Sequence, residues 1–348
     1  MAKVDFYKLE DGEKTAIFTE VANQMGMKPF AVEKDWWVSL TLEIIFQMPI
    51  SDYLVFKGGT SLSKAWKLIN RFSEDIDLAI DKNFFFASEK GWTRSEISRL
   101  RKEAANYSTH TFFEDLKEAF QKKGVHRLKF KVIDNGESDQ DPKVLEIYYP
   151  NVIKSDTEYI LPRVQLEVSC RSLREPFTVK PMGSLVDEFY SDKDFAKKPF
   201  FVPTVNAERT FLEKMFLLHE EFNRPAKKMR VDRLSRHLYD IYLLSKSGIA
   251  TRAISDKELY ETIVRHRYTF SKVGEVDYNL HHPHMLNPIP PADVLAKWDL
   301  DYAKMKEDMI YEDNKPSFEE LINNIKELRL TLQTVDWIFE LQFPMTKS

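Results

Sequence analysis

Residues 56–80 read FKGGTSLSKAWKLINRFSEDIDLAI. The short apolar run YLVFK (53–57) reads as a strand and ends in the pair Gly58-Gly59, followed at once by Thr60 and Ser61. SLSKAWKLI (61–69) fits a helix, and DIDLAI (75–80) fits a second strand, with Asp75 and Asp77 one position apart in an otherwise apolar segment. On a strand, residues i and i+2 face the same way, so the two carboxylates project side by side. Like charges that close repel unless a cation lies between them. Mg²⁺ suits the pair, because it is usually held by one or two carboxylates together with substrate phosphates. Glycine at the end of the strand lets backbone approach a phosphate, and the N–H groups opening the helix favour anions. The hydroxyls of Thr60 and Ser61 can add hydrogen bonds. Alone, Asp-x-Asp is an ordinary solvated pair on an edge strand. Preceded by Gly-Gly-Thr-Ser at this spacing, it becomes a candidate metal and phosphate site.

Two-metal phosphoryl or nucleotidyl transfer calls for a third acid. RVQLEVSC (163–170) alternates strictly, so Val164, Leu166 and Val168 face a core and leave Gln165, Glu167 and Ser169 on the opposite face. Glu167 is therefore the candidate third ligand; an exposed strand glutamate is the plain alternative. Around this nucleus, residues 12–48 and 94–123 have helical patterns, and RLKFKVID and KVLEIYYP flank the turn signals of NGESDQDP as a hairpin. A proline-containing stretch from Pro176 to Pro203 precedes a change of texture, and from Asn206 the chain reads as helix and loop. The expected fold is α+β: a minimal mixed sheet with flanking helices over residues 1–200, then a mainly helical domain over 201–348 that completes an active-site cleft.

Composition sets the outer limits. A chain of 348 residues, 43% hydrophobic and 13% aromatic, can bury a sizeable core. The net charge of −4 argues against general coating of nucleic acid while allowing a local basic patch. The lone Cys170 rules out an internal disulfide framework and agrees with a reducing cytoplasm. The N-terminus lacks an apolar signal region, and no apolar run is long enough to span a membrane.

In the second half, Phe211, Met215, Leu218 and Phe222 form an apolar helical stripe bordered by Lys214. That lysine can reach a triphosphate as a point charge or lie along the core edge. Leu234, Leu238, Ile241 and Tyr242 are expected to face inward on the next helix, where Arg236 and Asp240 stand at i and i+4 as a local ion pair. RPAKKMRVDRLSR (224–236) sets many basic residues against the single acid Asp232, either as a solvated face or as a track for RNA phosphates. HHPH (281–284) reads as a proline-interrupted loop without zinc-like spacing.

The order Gly-Gly/Ser, helix, Asp-x-Asp is similar to the active-site signature of the DNA polymerase β-like nucleotidyltransferase superfamily. More narrowly, EKDWWVSLTLEIIF (33–46), FKGGTSLSKAW (56–66) and RFSEDIDLAI (71–80) resemble the AbiEii/AbiGii toxin family. ERTFLEKMFLLH (208–219), RHLYDIYLL (236–244) and WDLDYAKMKEDMIYEDNKPSFEELI (298–322) extend the resemblance over most of the chain. It implies a bacterial cytoplasmic enzyme that transfers an NMP from an NTP and releases pyrophosphate. The context implied is a type IV-like toxin–antitoxin or abortive-infection system with a cognate antitoxin encoded nearby. Related toxins of the Men group modify tRNA acceptor ends, which makes RNA or tRNA the implied acceptor. The resemblance also implies Mg²⁺ on Asp75 and Asp77, a serine beside the pair at Ser73, and site roles for Lys214 and Asp240. Gly58, Gly59, Thr60 and Ser61 match the nucleotide-binding turn. Two rival functions stay open: transfer to a small molecule or protein, and a non-catalytic nucleotide-binding module, against which the intact aspartate pair speaks.

Overall fold

The structure is a computed structural model that describes residues 4–73, 75–88, 91–133, 141–154 and 161–344. The chain forms two compact units. One comprises the chain up to Trp66 together with Phe72–Val205, and the other comprises Lys67–Arg71 together with the chain from Asn206 onward.

The first unit opens with helices α1 (Asp11–Met25) and α2 (Pro29–Ile45). Gly26 ends α1 in the left-handed region at φ 63°, and Pro29 starts α2, where its missing N–H costs no intrahelical bond. Next come β1 (Leu54–Lys57), α3 (Gly58–Lys64) and β2 (Asp75–Ile80). Two helices follow, α4 (Arg94–Thr109) and α5 (Thr111–Lys122), then the antiparallel strands β3 (Lys129–Ile133) and β4 (Lys143–Tyr148). The expected hairpin strands therefore pair, and most of the NGESDQDP turn lies outside the described residues. β5 (Arg163–Ser169), β6 (Phe177–Met182), α6 (Leu185–Phe189) and β7 (Phe200–Val205) complete the unit.

All seven strands join one mixed sheet in the order β3-β4-β5-β2-β1-β7-β6. β2 is antiparallel to β1 and parallel to β5, which gives the centre its mixed character. One face is apolar: Ile76, Leu78, Val164, Leu166, Leu145 and Ile147 pack with Trp36 and Trp37 of α2 and with Phe112, Leu116 and Phe120 of α5. Two expectations need correcting. The helix after β1 covers Gly58–Lys64 and includes both glycines, rather than running 61–69. The proline-rich stretch also holds two strands and a helix. Pro181 lies on the edge strand β6, where a missing N–H faces away from any ladder, and Pro203 lies on β7 beside it.

α2 also carries the buried charges Glu33, Lys34 and Asp35. Each holds another segment of the unit. Glu33 accepts the N–H groups of Val152 (2.8 Å) and Ile153 (2.9 Å), Lys34 donates to the Leu161 carbonyl (2.9 Å), and Asp35 accepts the Leu185 N–H (2.8 Å) and pairs with Lys64. Burial pushes the Glu33 carboxyl up to about 7, against the pull of its two backbone hydrogen bonds. Because the folded state holds this proton longer than the unfolded chain, the stability it contributes is present below about pH 4.5 and is lost as pH rises to about 7. Denaturant midpoints taken across that window should fall with pH in the parent protein, by at most about 3 kcal/mol in stability, and lose most of that slope in Glu33→Gln. Equal slopes in the two proteins would remove Glu33 as the cause.

The second unit contains α7 (Ala207–Phe222), α8 (Arg236–Lys246), α9 (Ile249–Ser255), α10 (Lys257–Phe270), α11 (Ala292–Asp308) and α12 (Phe318–Gln333). The stripe Phe211, Met215, Leu218 and Phe222 is buried as its spacing requires. On α8, Leu238 and Ile241 are buried and Tyr242 is half-buried, with Tyr239 and Leu244 completing the inner face; Leu234 is half-buried in the turn before the helix. HHPH is more structured than a plain loop. His281 ends one 3₁₀ turn and Pro283–Met285 form another. His281 is buried with its Nε2 3.1 Å from Glu220, which also receives Arg267. At least three of the six basic residues of the run 224–236 have acidic partners: Arg224 and Arg230 share Glu221, and Lys228 pairs with Glu275. No described helix is long and apolar enough to cross a membrane.

Candidate active site

The sheet face opposite the apolar core carries the aspartate pair. β2 alternates half-buried Asp75 and Asp77 with buried Ile76 and Leu78, so both carboxylates emerge on one face. Register then brings in the third acid, since Asp77 is the Cα partner of Glu167 on β5 and Asp75 is the partner of Gln165. Gln165 Nε2 lies 3.5 Å from Glu167 Oε1. On the other side, Asp77 is the partner of Lys57, the last residue of β1 before Gly58.

Gly58 is where this geometry is most constrained. Its φ is +79°, and a Cβ built there would lie 1.9 Å from Asp77 Oδ2 and 2.7 Å from Asp77 Cγ. The Asp77 carboxylate therefore rests against a Cα that must stay bare. Alanine would add about 1–2 kcal/mol of left-handed strain and push the carboxylate aside. Gly58→Ala is thus expected to lower the denaturation midpoint and to remove nucleotide transfer. Gly12→Ala, at an open position on α1 with nothing within 4 Å, should leave transfer unchanged. Wild-type transfer by Gly58→Ala would show that the carboxylate can move without consequence.

The hydroxyls of the turn serve the scaffold. Thr60 is buried, with Oγ1 2.5 Å from the Asp75 carbonyl and 2.9 Å from Ser73 Oγ. A threonine hydroxyl has one proton, so the carbonyl takes it and Ser73 donates to Thr60. This fastens the start of β2 to α3. Ser61, also buried, donates to the Gly58 carbonyl at 2.8 Å. What α3 can offer an anion is thus its first-turn backbone, from Gly58 and Gly59, rather than those two hydroxyls.

Among the described residues, no group of three His, Cys, Asp or Glu side chains forms a ready-made metal cage. The donors nevertheless fit a hard divalent ion. Two carboxylates share a face, a glycine keeps space for one of them, and Glu167 is in register. An ion that keeps waters and takes the rest of its ligands from substrate phosphates needs no fuller protein cage.

In the second unit, Lys214 and Asp240 come together. Asp240 Oδ2 lies 2.9 Å from Lys214 Nζ, and the carboxylate is also gripped through two hydrogen bonds by Arg71, Nε to Oδ1 at 2.7 Å and a terminal nitrogen to Oδ2 at 2.8 Å. All three side chains are buried. Burial alone would raise the Asp240 carboxyl, but Arg71 and Lys214 hold it well below the usual carboxylate range. Burial lowers the Lys214 ammonium, and Asp240 only partly opposes it because that carboxylate is already shared with Arg71. His237, whose Nδ1 is 3.3 Å from Lys214 Nζ, is driven well below its ordinary value by burial and then by Lys214, so it is neutral. Two basic side chains, Arg71 and Lys214, thus share the one carboxylate of Asp240. Arg71 is absent from the sequence-based set. It replaces Arg236 as the arginine on Asp240, and only its place in RFSEDIDL, just before the aspartate pair, could have drawn notice.

The model of the nucleotidyl transferase AbiEii toxin family, of type IV toxin–antitoxin systems, matches residues 42–324. Among solved structures, the chain is similar to MenT4, a nucleotidyltransferase toxin from Mycobacterium tuberculosis H37Rv. They share 16% identity, the match spans 94% of this chain and 100% of that one, and the TM-score is 0.40. JHP933 from Helicobacter pylori is similar at 14% identity, with 88% of this chain and 93% of that one covered and a TM-score of 0.41. No match was found among curated proteins.

Proposed function

The chain belongs to the AbiEii nucleotidyl transferase toxin family, and from that premise we propose that it moves an NMP from an NTP to an RNA acceptor in a Mg²⁺-dependent reaction. The observation that carries the metal part of this reading is the Asp75/Asp77 pair on one sheet face, with Gly58 bare beneath the Asp77 carboxylate.

In the proposed reaction a hydroxyl oxygen of the acceptor attacks the α-phosphorus, the bond from that phosphorus to the oxygen bridging the β-phosphate breaks, and pyrophosphate and one proton leave. Asp75 and Asp77 would hold the ion, with Glu167 in register to assist. When bound, Mg²⁺ neutralises charge developing on the phosphoryl oxygens. The chain's own part is positioning. Gly58 preserves the carboxylate's place, Thr60 and Ser73 fix the origin of β2, and the first turn of α3 offers N–H groups to phosphate. For Lys214 we propose a contact with substrate phosphate, supported by the family match that spans it, with Asp240, 2.9 Å from its Nζ, as the residue that orients it. An antitoxin partner and a bacterial cytoplasmic setting follow from the same family reading.

The test is label transfer. Protein and the Asp77→Ala variant are incubated with Mg²⁺, bacterial RNA and protein extract, and each of the four NTPs labelled at the α-phosphate. Label in RNA that needs both Mg²⁺ and Asp77 supports the proposal and identifies the nucleotide. Label in protein or in a small molecule moves the acceptor to that class, and bound NTP without any transfer overturns the catalytic reading.

A further inference from the structure

The sheet face that carries the aspartates continues beyond them over β5, β4 and β3, and strand register decides what it displays. From Asp77 the row runs through Glu167 to Val144 and Ile133, and from Asp75 it runs through Gln165 and Glu146 to Lys131. A third row sets Arg163, Tyr148 and Lys129 side by side. Asp75, Asp77, Gln165, Glu167, Arg163 and Tyr148 are half-buried, and Lys129 and Lys131 are exposed on the edge strand β3. The face is therefore polar, partly open to solvent, acidic at β2 and basic at its edge, and all of it lies within the first unit.

The middle of this face is braced. The buried carboxylate of Glu146 pairs with Arg163 and accepts the Tyr148 hydroxyl at 2.7 Å. That contact turns an aromatic ring and a guanidinium into fixed features. Neither Lys129 nor Lys131 has an ion pair with any described residue. Successive same-face residues on a strand are about 6.8 Å apart, the scale of the gap between neighbouring phosphates in an extended nucleic acid strand. Three inter-strand steps of about 4.8 Å set Lys131 roughly 14 Å from Asp75, which is a few nucleotides away and beyond the triphosphate itself. In the basic run at 224–236, by contrast, Arg224 and Arg230 are drawn to Glu221 and Lys228 to Glu275.

We propose that this β5–β4–β3 face binds the single-stranded end of the RNA acceptor, with Lys129 and Lys131 on its phosphates and the Tyr148 ring stacked on a base, so that the terminal hydroxyl is delivered to the Asp75/Asp77 end. The proposal rests on the RNA reading above and adds where that RNA lies. Single-stranded nucleic acid is held by this combination of basic groups along a backbone and aromatic faces for bases. The occupant is RNA rather than an acidic protein because the face is continuous, strand by strand, with the carboxylates that hold the ion.

The experiment compares the full-length protein with Lys129→Gln/Lys131→Gln, Tyr148→Ala and Tyr148→Phe, and with Lys117→Gln/Lys122→Gln as a control that removes the same charge from α5. Label transfer to RNA gives KM and kcat, and RNA binding is measured against salt. Loss of two phosphate contacts should raise KM for RNA about tenfold, and it should flatten the slope of log affinity against log salt by about 1.4. Tyr148→Ala should raise KM without changing that slope, Tyr148→Phe, which keeps the ring and loses its brace to Glu146, should raise it less, and the α5 control should match the parent throughout. Parent-like KM and salt slope in the double lysine variant, with RNA labelled normally, would overturn this proposal and leave the RNA reading standing. Failure of the parent protein to label any RNA would overturn both, and the two results cannot be confused.

Discussion

Replacing Asp77 by alanine is expected to lower nucleotide transfer by about a thousandfold or more while the protein stays folded. The size follows from what the carboxylate does. On the proposed metal-site reading, an ion on the pair would supply several kcal/mol of charge stabilisation to the displacement, and each 1.36 kcal/mol is tenfold in rate. Asp77 is half-buried and faces away from the apolar core, and the register of β2 with β1 and β5 is set by backbone and by Ile76 and Leu78. Stability should therefore change by less than about 1 kcal/mol, since the substitution also relieves repulsion with Asp75. Asp77→Asn should fall almost as far in rate, because the amide keeps the shape and loses the charge. Far-ultraviolet circular dichroism and a denaturant midpoint would establish folding, and a Mg²⁺ titration of the residual activity would show whether ion affinity is what was lost. Retention of more than a tenth of the parent rate would remove the pair as the metal site.

Asp240→Ala has the largest expected effect on stability. It leaves the Arg71 guanidinium and the Lys214 ammonium buried without their shared carboxylate. Breaking a buried pair from one side typically costs about 3–5 kcal/mol. Against a domain stability of about 5–15 kcal/mol, that lowers the urea midpoint substantially. The diagnostic variant is the double substitution Arg71→Met/Asp240→Leu, which removes both members of the two-pronged contact and replaces them with apolar groups of similar volume. It should regain part of the loss, because Arg71 is no longer stranded while the buried Lys214 ammonium still is. If Asp240→Ala denatures at the parent midpoint, the cluster does not brace the unit, and any loss of transfer in that variant belongs to chemistry alone. A fall in both quantities, with transfer not restored in the double variant, would separate the structural share from the site share.

Membership of the AbiEii family and an α+β fold with a mixed sheet are legible in the sequence because they rest on local patterns. Period-two alternation is enough to turn Asp75 and Asp77 the same way and to set Glu167 opposite Val164, Leu166 and Val168. Helical spacing is enough to bury Phe211, Met215, Leu218 and Phe222. The strands at Phe177–Met182 and Phe200–Val205 escaped because proline weakens a strand signal; of the two, only the first is an edge strand, the position that tolerates proline best.

Other features are decided only by chain segments meeting across long separations. Tertiary pairing selects Arg71 for Asp240 over the nearby Arg236, across 169 residues of chain, because a buried carboxylate takes the guanidinium that can reach it with two aligned bonds. Glu167 comes to Asp77, and Lys131 to the row of Asp75, through inter-strand register, which no single segment encodes. The sequence by itself determined which side chains share a face, since that follows from the backbone period of each element. Tertiary structure alone decided which faces and charges meet, since that depends on how separate elements bury their apolar sides together.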